Sequence, residues 1–369
     1  MRILFLTRSL NTGGAERQLI TTAKGLSKRG HIVSVMVFYE GGDLESDLEK
    51  TGISILGLDK NGRWDLFPFF FHIIKQVRNL SPDVLYSFMT GANIFSVLIK
   101  KFIGNTKIVC GIRASDMDLS QYDWVVKLTN RLECNLSRFT DGIIVNSNAG
   151  RNHAIKMGVP TEKIHIVFNG IDTDKFKFNQ EARNRLRSLW GVNEDEVFIG
   201  IIARLDPIKD HKTFLEAAEL LRKKTNKVKF VCIGCGAKNY RSILMEYCTD
   251  LKLDDVLIWA GERHDITDVI SSLDIASSSS ISEGFPNVVA EAMACGRNCV
   301  VTDAGDSATI VGDKGRVVPI SDPEALAAAW WDVIECKDLP SPEDIRSRIV
   351  TAFGMEQCTI NTLNILSEL

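Results

Sequence analysis

The segment SEGFPNVVAEAMACG, residues 282–296, carries two carboxylates, Glu283 and Glu291, separated by seven residues, the second inside an otherwise apolar run. An unpaired buried charge is costly, so either water or a bound partner has to meet Glu291. The strand-like LDIASSS places Glu283 in a loop at the carboxyl end of a strand, and a helix expected from Asn287 to a stop at Gly296 places Glu291 in its early turns. One carboxylate there can bind a diol while the first amides of the helix hold an anion, which are the two features of a nucleotide's ribose and phosphate. A capping or salt-bridging glutamate has the same spacing, and the residues alone leave both readings open. Arg204 and Lys209, in IIARLDPIKDHKTFLEAAELL, form a second constellation. Two cations just past a strand can neutralise the charge that grows on a diphosphate as its bond breaks. An ordinary surface pair is the competing reading, and the position after the first strand of a second domain weighs against it.

Gly13 and Gly14, between the first strand and the helix AERQL, allow an anion to approach free N–H groups closely, although strand-to-helix turns also use glycine for geometry alone. NTGGAE lacks the spaced third glycine of a dinucleotide fingerprint, as does the turn Gly234–Gly236, which disfavours a nicotinamide enzyme. Asp116 and Asp118 are too few for a divalent cation without further oxygen ligands, so hydrogen bonding is the better reading and no metal is expected. Arg113 precedes them at the end of the strand TKIVCGI. Cys232 and Cys235 have the spacing of a redox or zinc half-site, but no second Cys/His pair stands at a matching distance.

The elements that must position these residues alternate throughout. RILFLT, HIVSVMVF, ISILGL, PDVLYSF, TKIVCGI, DGIIVNS and KIHIVF read as strands separated by helix-sized intervals, and so do VFIGIIA, VKFVCIG, DVLIWAG, LDIASSS, NCVVTD and RVVPI. Such alternation predicts two α/β domains with parallel sheets, whose ligands bind beyond the carboxyl ends of the strands. Asn146 and Ser147 are cap candidates for one helix, and Ser321–Glu324 reads as a capping box for another. Residues 170–195, polar and charged with no clear strand, read as a linker. Leu363, Leu366 and Leu369 recur at helical spacing in a closing helix.

Composition bounds the function. The 369 residues are 45% hydrophobic and 25% charged, as in a globular chain long enough for two cores. The net charge of −3 divides into +5 over residues 1–172 and −8 beyond them. The basic half suits anionic lipid or an acidic acceptor, and equally an ordinary solvated surface. No basic cluster with interleaved aromatics supports nucleic-acid binding. The longest apolar runs are too short to span a membrane, Arg2-ILFL reads as a strand rather than an export signal, and nine scattered cysteines fit a reducing compartment, so a cytoplasmic location is expected. RWDLFPFFFHIIKQVRNL has two readings, an interfacial membrane helix or ordinary core packing.

Together, NTGGAE, IIVNSNAG to VFNGID, RLDPIKD, GERHDI, SEGFPNVVAEAMACG and VTDAGDSATIVGDKG resemble, in order and spacing, the retaining glycosyltransferases of family 4. The resemblance spans most of the chain. It implies the GT-B fold: an acceptor-binding Rossmann-like domain over 1–172, a nucleotide-sugar-binding one over 173–353, and a helix over 354–369 returning to the first. By resemblance Glu291 is the ribose ligand, Glu283 and the Phe285-Pro286-Asn287 backbone face the donor sugar and phosphates, Arg204 and Lys209 clamp the diphosphate, Gly14 approaches the phosphates, and Arg263 contacts the base. Arg204, Lys209 and Glu283 would then be the catalytic set, with Gly13, Arg113 and Asp116 on the acceptor side. Relatives often carry a histidine where this chain reads GIRASD, and Arg297-Asn298 replaces their small residue and proline. The implied reaction moves a hexose or N-acetylhexosamine, with retention and without metal or cofactor, from a nucleotide sugar, UDP-sugar foremost, to a lipid-linked cell-surface glycan, with peripheral contact at the inner face of an anionic membrane. Rival readings are a UDP-sugar 2-epimerase of similar fold, for which the six histidines show no suitable cluster, and an inactive nucleotide-sugar-binding partner.

Overall fold

A computed structural model describes residues 1–369 except positions 12, 61, 63, 64, 66 and 114–123. Two compact units divide the chain: Met1–Gly170 with Met355–Leu369, and Ile171–Gly354.

The first unit holds seven strands: β1 (Arg2–Thr7), β2 (Ile32–Val37), β3 (Ser54–Gly57), β4 (Val84–Phe88), β5 (Lys107–Ile112), β6 (Gly142–Val145) and β7 (Ile164–Ile166). They pair in parallel in the order β3-β2-β1-β4-β5-β6-β7. Near-continuous apolar runs such as ILFL and VLYSF are buried on both faces, as a helix-covered parallel sheet requires. Alternate residues feed two cores: Leu4, Leu6, Leu85 and Ile143 on one face, Ile3, Phe5, Tyr86 and Ile144 on the other. The closing helix, Met355–Glu368, packs on helix Gly14–Lys28 with Leu366 buried and Leu363 and Leu369 partly so. The two helices come so close at Gly25 that an added Cβ would stand 2.0 Å from Thr359 Oγ1.

In the second unit β8 (Val197–Ile202), β9 (Val228–Ile233), β10 (Leu257–Gly261), β11 (Ile275–Ser278), β12 (Asn298–Thr302) and β13 (Arg316–Val318) form a parallel sheet ordered β10-β9-β8-β11-β12-β13. The order reverses between the neighbours β8 and β11, and a crevice opens at such a switch point. Their following loops therefore emerge side by side. The loop after β8 carries Arg204 and Lys209, and the loop after β11 carries Glu283.

Two local expectations change. Residues 170–195 are more than a linker: Gln180–Leu189 is a helix, capped where Asn179 accepts from the Ala182 N–H at 3.1 Å. Its inward face reads as polar because Arg183 and Arg187 share it with Ala182 and Leu186. Arg183 and Arg187 reach Asp274 at 2.6 and 2.9 Å, and each also donates to backbone carbonyls, Arg183 to Leu273 and Arg187 to Glu196. The cap of helix Pro323–Glu335 is Asp322, not Ser321. Ser321 lies at φ +54°, outside cap geometry, and its hydroxyl turns to Asp210 at 3.1 Å. The other helix start is as expected, with Ser147 accepting from the Gly150 N–H at 2.9 Å.

Candidate active site

At the switch point of the second sheet, a short turn, Pro207–Lys209, begins where Asp206 accepts from the Ile208 N–H at 3.1 Å. It delivers Lys209 to Glu283, with Nζ 2.5 Å from Oε1, and the Ser280 hydroxyl donates to the same oxygen at 2.7 Å. Both side chains of the ion pair are largely buried, at 22% and 13% exposure, so neither charge is well solvated without the other. The two loops are also stitched along their backbones. The Ser279 hydroxyl lies 2.9 Å from the carbonyl oxygens of both Lys209 and Asp210, and the Ile281 N–H donates to the Ile208 carbonyl at 2.9 Å. Asp210 sits at φ +45° and caps helix His211–Arg222 through Thr213. Arg204, two residues past β8, pairs with Asp206 at 2.8 Å yet is 70% exposed, so its charge remains available to a ligand.

Helix Asn287–Ala294 opens directly after the Glu283 loop, and its N-cap residue is Pro286, whose side chain cannot accept a hydrogen bond. Val289, Ala290, Ala292, Met293 and Ala294 are buried, whereas Asn287, Val288 and Glu291 share a half-exposed face. Glu291 is therefore outside the core, and no buried lone charge arises. Phe285 is committed to packing, its ring 5.5 Å from that of Phe353, and Pro286 is also buried. Arg263 stands apart, beyond the edge strand β10. Asp265 takes its guanidinium edge, its plane lies 5.5 Å from the Trp190 ring, and the hydrogen bonds to Asp265 raise its pKa further.

In the first unit, Gly13 is the N-cap of helix Gly14–Lys28, in an extended conformation and without a side chain to cap it. Arg113, just past β5, donates to Asn169 Oδ1 at 2.7 Å and to the Tyr86 hydroxyl at 3.3 Å, and stacks 4.7 Å from the Phe88 ring centre. Asp116 lies outside the described residues, as does Asp118. The structure thus joins Lys209 and Glu283 directly, sets Arg204 on the same loop, and places Glu291 on the next helix.

Residues 12–175 match the family described as Glycosyltransferase Family 4, and residues 196–335 match Glycosyl transferases group 1. The chain belongs to the family 4 glycosyltransferases. It is 22% identical, over 77% of its length and 74% of the relative, to UDP-Gal:alpha-D-GlcNAc-diphosphoundecaprenol alpha-1,3-galactosyltransferase of Escherichia coli. It is 27% identical, over 73% and 69%, to N,N'-diacetylbacillosaminyl-diphospho-undecaprenol alpha-1,3-N-acetylgalactosaminyltransferase of Campylobacter jejuni. The Anabaena protein HepE, solved with UDP-glucose, superimposes with a TM-score of 0.86 at 24% identity, covering both chains completely, which establishes the GT-B fold.

Several residues of this glycosyltransferase's site are silent in its sequence. Ser279 and Ser280 belong to a run of four serines that reads as a polar strand end. Gly305, at φ +57°, lies so close to the Glu283 loop that an added Cβ would stand 2.1 Å from the Glu283 carbonyl oxygen. Next to it, the Asp306 N–H donates to the Gly284 carbonyl at 2.9 Å and fixes the loop from the other side. His211 is fully buried beside Lys209 and Asp210, with neither ring nitrogen hydrogen-bonded among the described residues, and burial lowers its pKa to about 4.

Proposed function

We propose that this glycosyltransferase moves a hexose or N-acetylhexosamine from a UDP sugar to a lipid-linked cell-surface glycan, with retention of anomeric configuration and without metal or cofactor. The observation that carries this reading is the Lys209–Glu283 pair held between the two loops at the β8/β11 switch point, with the exposed Arg204 on the Lys209 loop. Arg204, Lys209 and the first amides of helix Asn287–Ala294 stabilise the departing diphosphate, while Glu283 orients the sugar hydroxyls and Glu291 takes the ribose diol. Arg263 serves the base. Gly14 and the first amides of its helix offer donors to phosphate, and Gly13 and Arg113 serve the acceptor. In the chemical step the bond from the anomeric carbon to the phosphate oxygen breaks and its electron pair leaves with UDP. The acceptor hydroxyl forms the new bond on the same face, and its proton passes to a phosphate oxygen of UDP.

Relatives whose names specify diphosphoundecaprenol acceptors and a UDP-galactose donor support the choice of UDP and of a lipid carrier. Contact with an anionic membrane fits the first unit. Helix Phe67–Leu80 buries Phe69, Ile73, Ile74 and Val77 yet leaves Phe67 81% and Phe71 66% exposed, so core packing accounts for only one face of it. No helix among the described residues is long and apolar enough to cross a membrane.

Calorimetric titration with UDP and with UDP sugars tests the assignment. Glu291→Ala should weaken binding of UDP itself, whereas Glu283→Ala should impair transfer more than UDP binding. Unchanged UDP affinity in Glu291→Ala removes its role. Sedimentation with vesicles containing anionic lipid should carry the protein down, and equal recovery with neutral vesicles contradicts an electrostatic membrane contact.

A further inference from the structure

A cavity of about 110 Å³ lies wholly within the first unit, at the carboxyl ends of β4 and β5, the edge of a parallel sheet where ligands bind. Its wall is mostly apolar, with Met89, Ile112, Met157 and Val159 among its residues. Asn130 Nδ2 and Arg113 Nε belong to residues lining this cavity, are buried, and have no hydrogen-bond partner among the described residues. Leaving such a group unpaired is costly. Met89 adds a second cost at the same place, with φ +74° and ψ +156°, a conformation that suits glycine and not methionine. Strain of this kind persists where the surroundings impose it, and it collects at ligand sites.

Glu133, also in the wall, is 8% exposed and accepts from Asn93 Nδ2 at 2.6 Å. Burial raises its pKa, against hydrogen bonds from Asn93 and Thr90 that lower it. The chemistry of an occupant follows from these groups together. It must bring an oxygen that accepts hydrogen bonds and an apolar part for the methionine and valine side, and since the wall holds both the Arg113 guanidinium and the Glu133 carboxyl, a neutral group adds no further charge to an otherwise apolar wall. A sugar hydroxyl fills roughly the 30 Å³ share of one water and leaves most of this cavity empty. An acetamido group meets every requirement, since its carbonyl accepts, its methyl is apolar and it is neutral.

We propose that this cavity is a subsite for the acetamido group of an N-acetylated acceptor sugar, with Asn130 and Arg113 directed to its carbonyl oxygen and Met157 and Val159 to its methyl. The proposal rests on the transferase reading only in calling that sugar the acceptor. Binding can be measured without turnover.

The test uses saturation-transfer NMR on the full chain with methyl glycosides of N-acetylglucosamine and of glucose as probes. The N-acetyl glycoside should bind at least tenfold more tightly, with its acetamido methyl receiving the strongest saturation. Asn130→Leu removes the donor at similar volume and Val159→Phe fills the cavity. Each should abolish the preference while UDP affinity and the circular dichroism spectrum stay unchanged. Should Val159→Phe fail to fold, Asn130→Leu alone decides. Equal binding of the two glycosides, no detectable binding of either, or a preference that survives in the folded variants overturns the subsite. Failure of the transferase reading shows differently, as an absence of UDP binding or of transfer to any acceptor, whatever the glycosides do.

Discussion

The carboxyl edges of the two sheets present opposite kinds of site. In the second unit the chemistry lies in charges fixed by short bonds, Lys209 to Glu283 to Ser280, with Ser279 and Ile281 holding the loops that carry them. In the first unit the corresponding edge offers shape, an apolar cavity beside a strained Met89, with two donors that have no partner among the described residues. A diphosphate leaving group is common to many donors and rewards fixed charge, whereas an acceptor is recognised by fit. The first demand leaves residues at regular spacings. The second disperses its residues over several elements.

Substitutions should separate the two edges, and the largest loss belongs to the fixed charges. Lys209→Ala should reduce kcat by about 10²–10³-fold, as losing one preorganised donor to a developing oxyanion does. A kcat within threefold of wild type would remove Lys209 from the catalytic set. Next, Gly305→Ala forces a Cβ against the Glu283 carbonyl at a φ of +57°, and should cost roughly 1–3 kcal/mol of stability while lowering kcat. Denaturant unfolding and steady-state rates check both, and an unshifted midpoint means the loop yields freely.

Acid should act on the second unit through His211. Its pKa in the fold is lowered from 6.5 to about 4, so the unfolded chain takes up its proton first as pH falls. The stability from keeping this histidine neutral is present above the unfolded value, and is lost progressively between about pH 6.5 and 4, to a total of about 3 kcal/mol. Thermal unfolding across that window should flatten in His211→Leu, and an unchanged slope contradicts the buried neutral imidazole. The smallest effect is expected of Ser279→Ala, where one neutral hydrogen bond worth about 1 kcal/mol is lost and kcat falls a few-fold with UDP affinity unchanged.

The parallel sheets were legible because strands buried on both faces must be apolar runs, and the α/β alternation of such runs leaves little choice of fold. Lys209 and Glu283 were legible as well, since each follows a recognisable strand within a few residues. Helix Gln180–Leu189 was hidden because its buried face has only Ala182 and Leu186 as apolar residues, beside arginines paired with Asp274, which mimics a polar linker. Ser279, Gly305 and Met89 matter through contacts with distant segments or through a backbone angle, and neither property shows in residue type or spacing. Arg263 shows the converse. Its motif was readable, yet Asp265 and Trp190 already engage its guanidinium.

The central claim is transfer from a nucleotide sugar by the charges at the β8/β11 switch point, with the anomeric configuration kept. One measurement addresses it most directly: proton NMR of the anomeric centre during reaction of a UDP sugar with a diphosphoundecaprenol-linked acceptor. The account predicts a product with the donor's own anomeric configuration, formed only when acceptor is present and lost in Lys209→Ala. An inverted anomer, or a UDP sugar epimerised without acceptor, would contradict it.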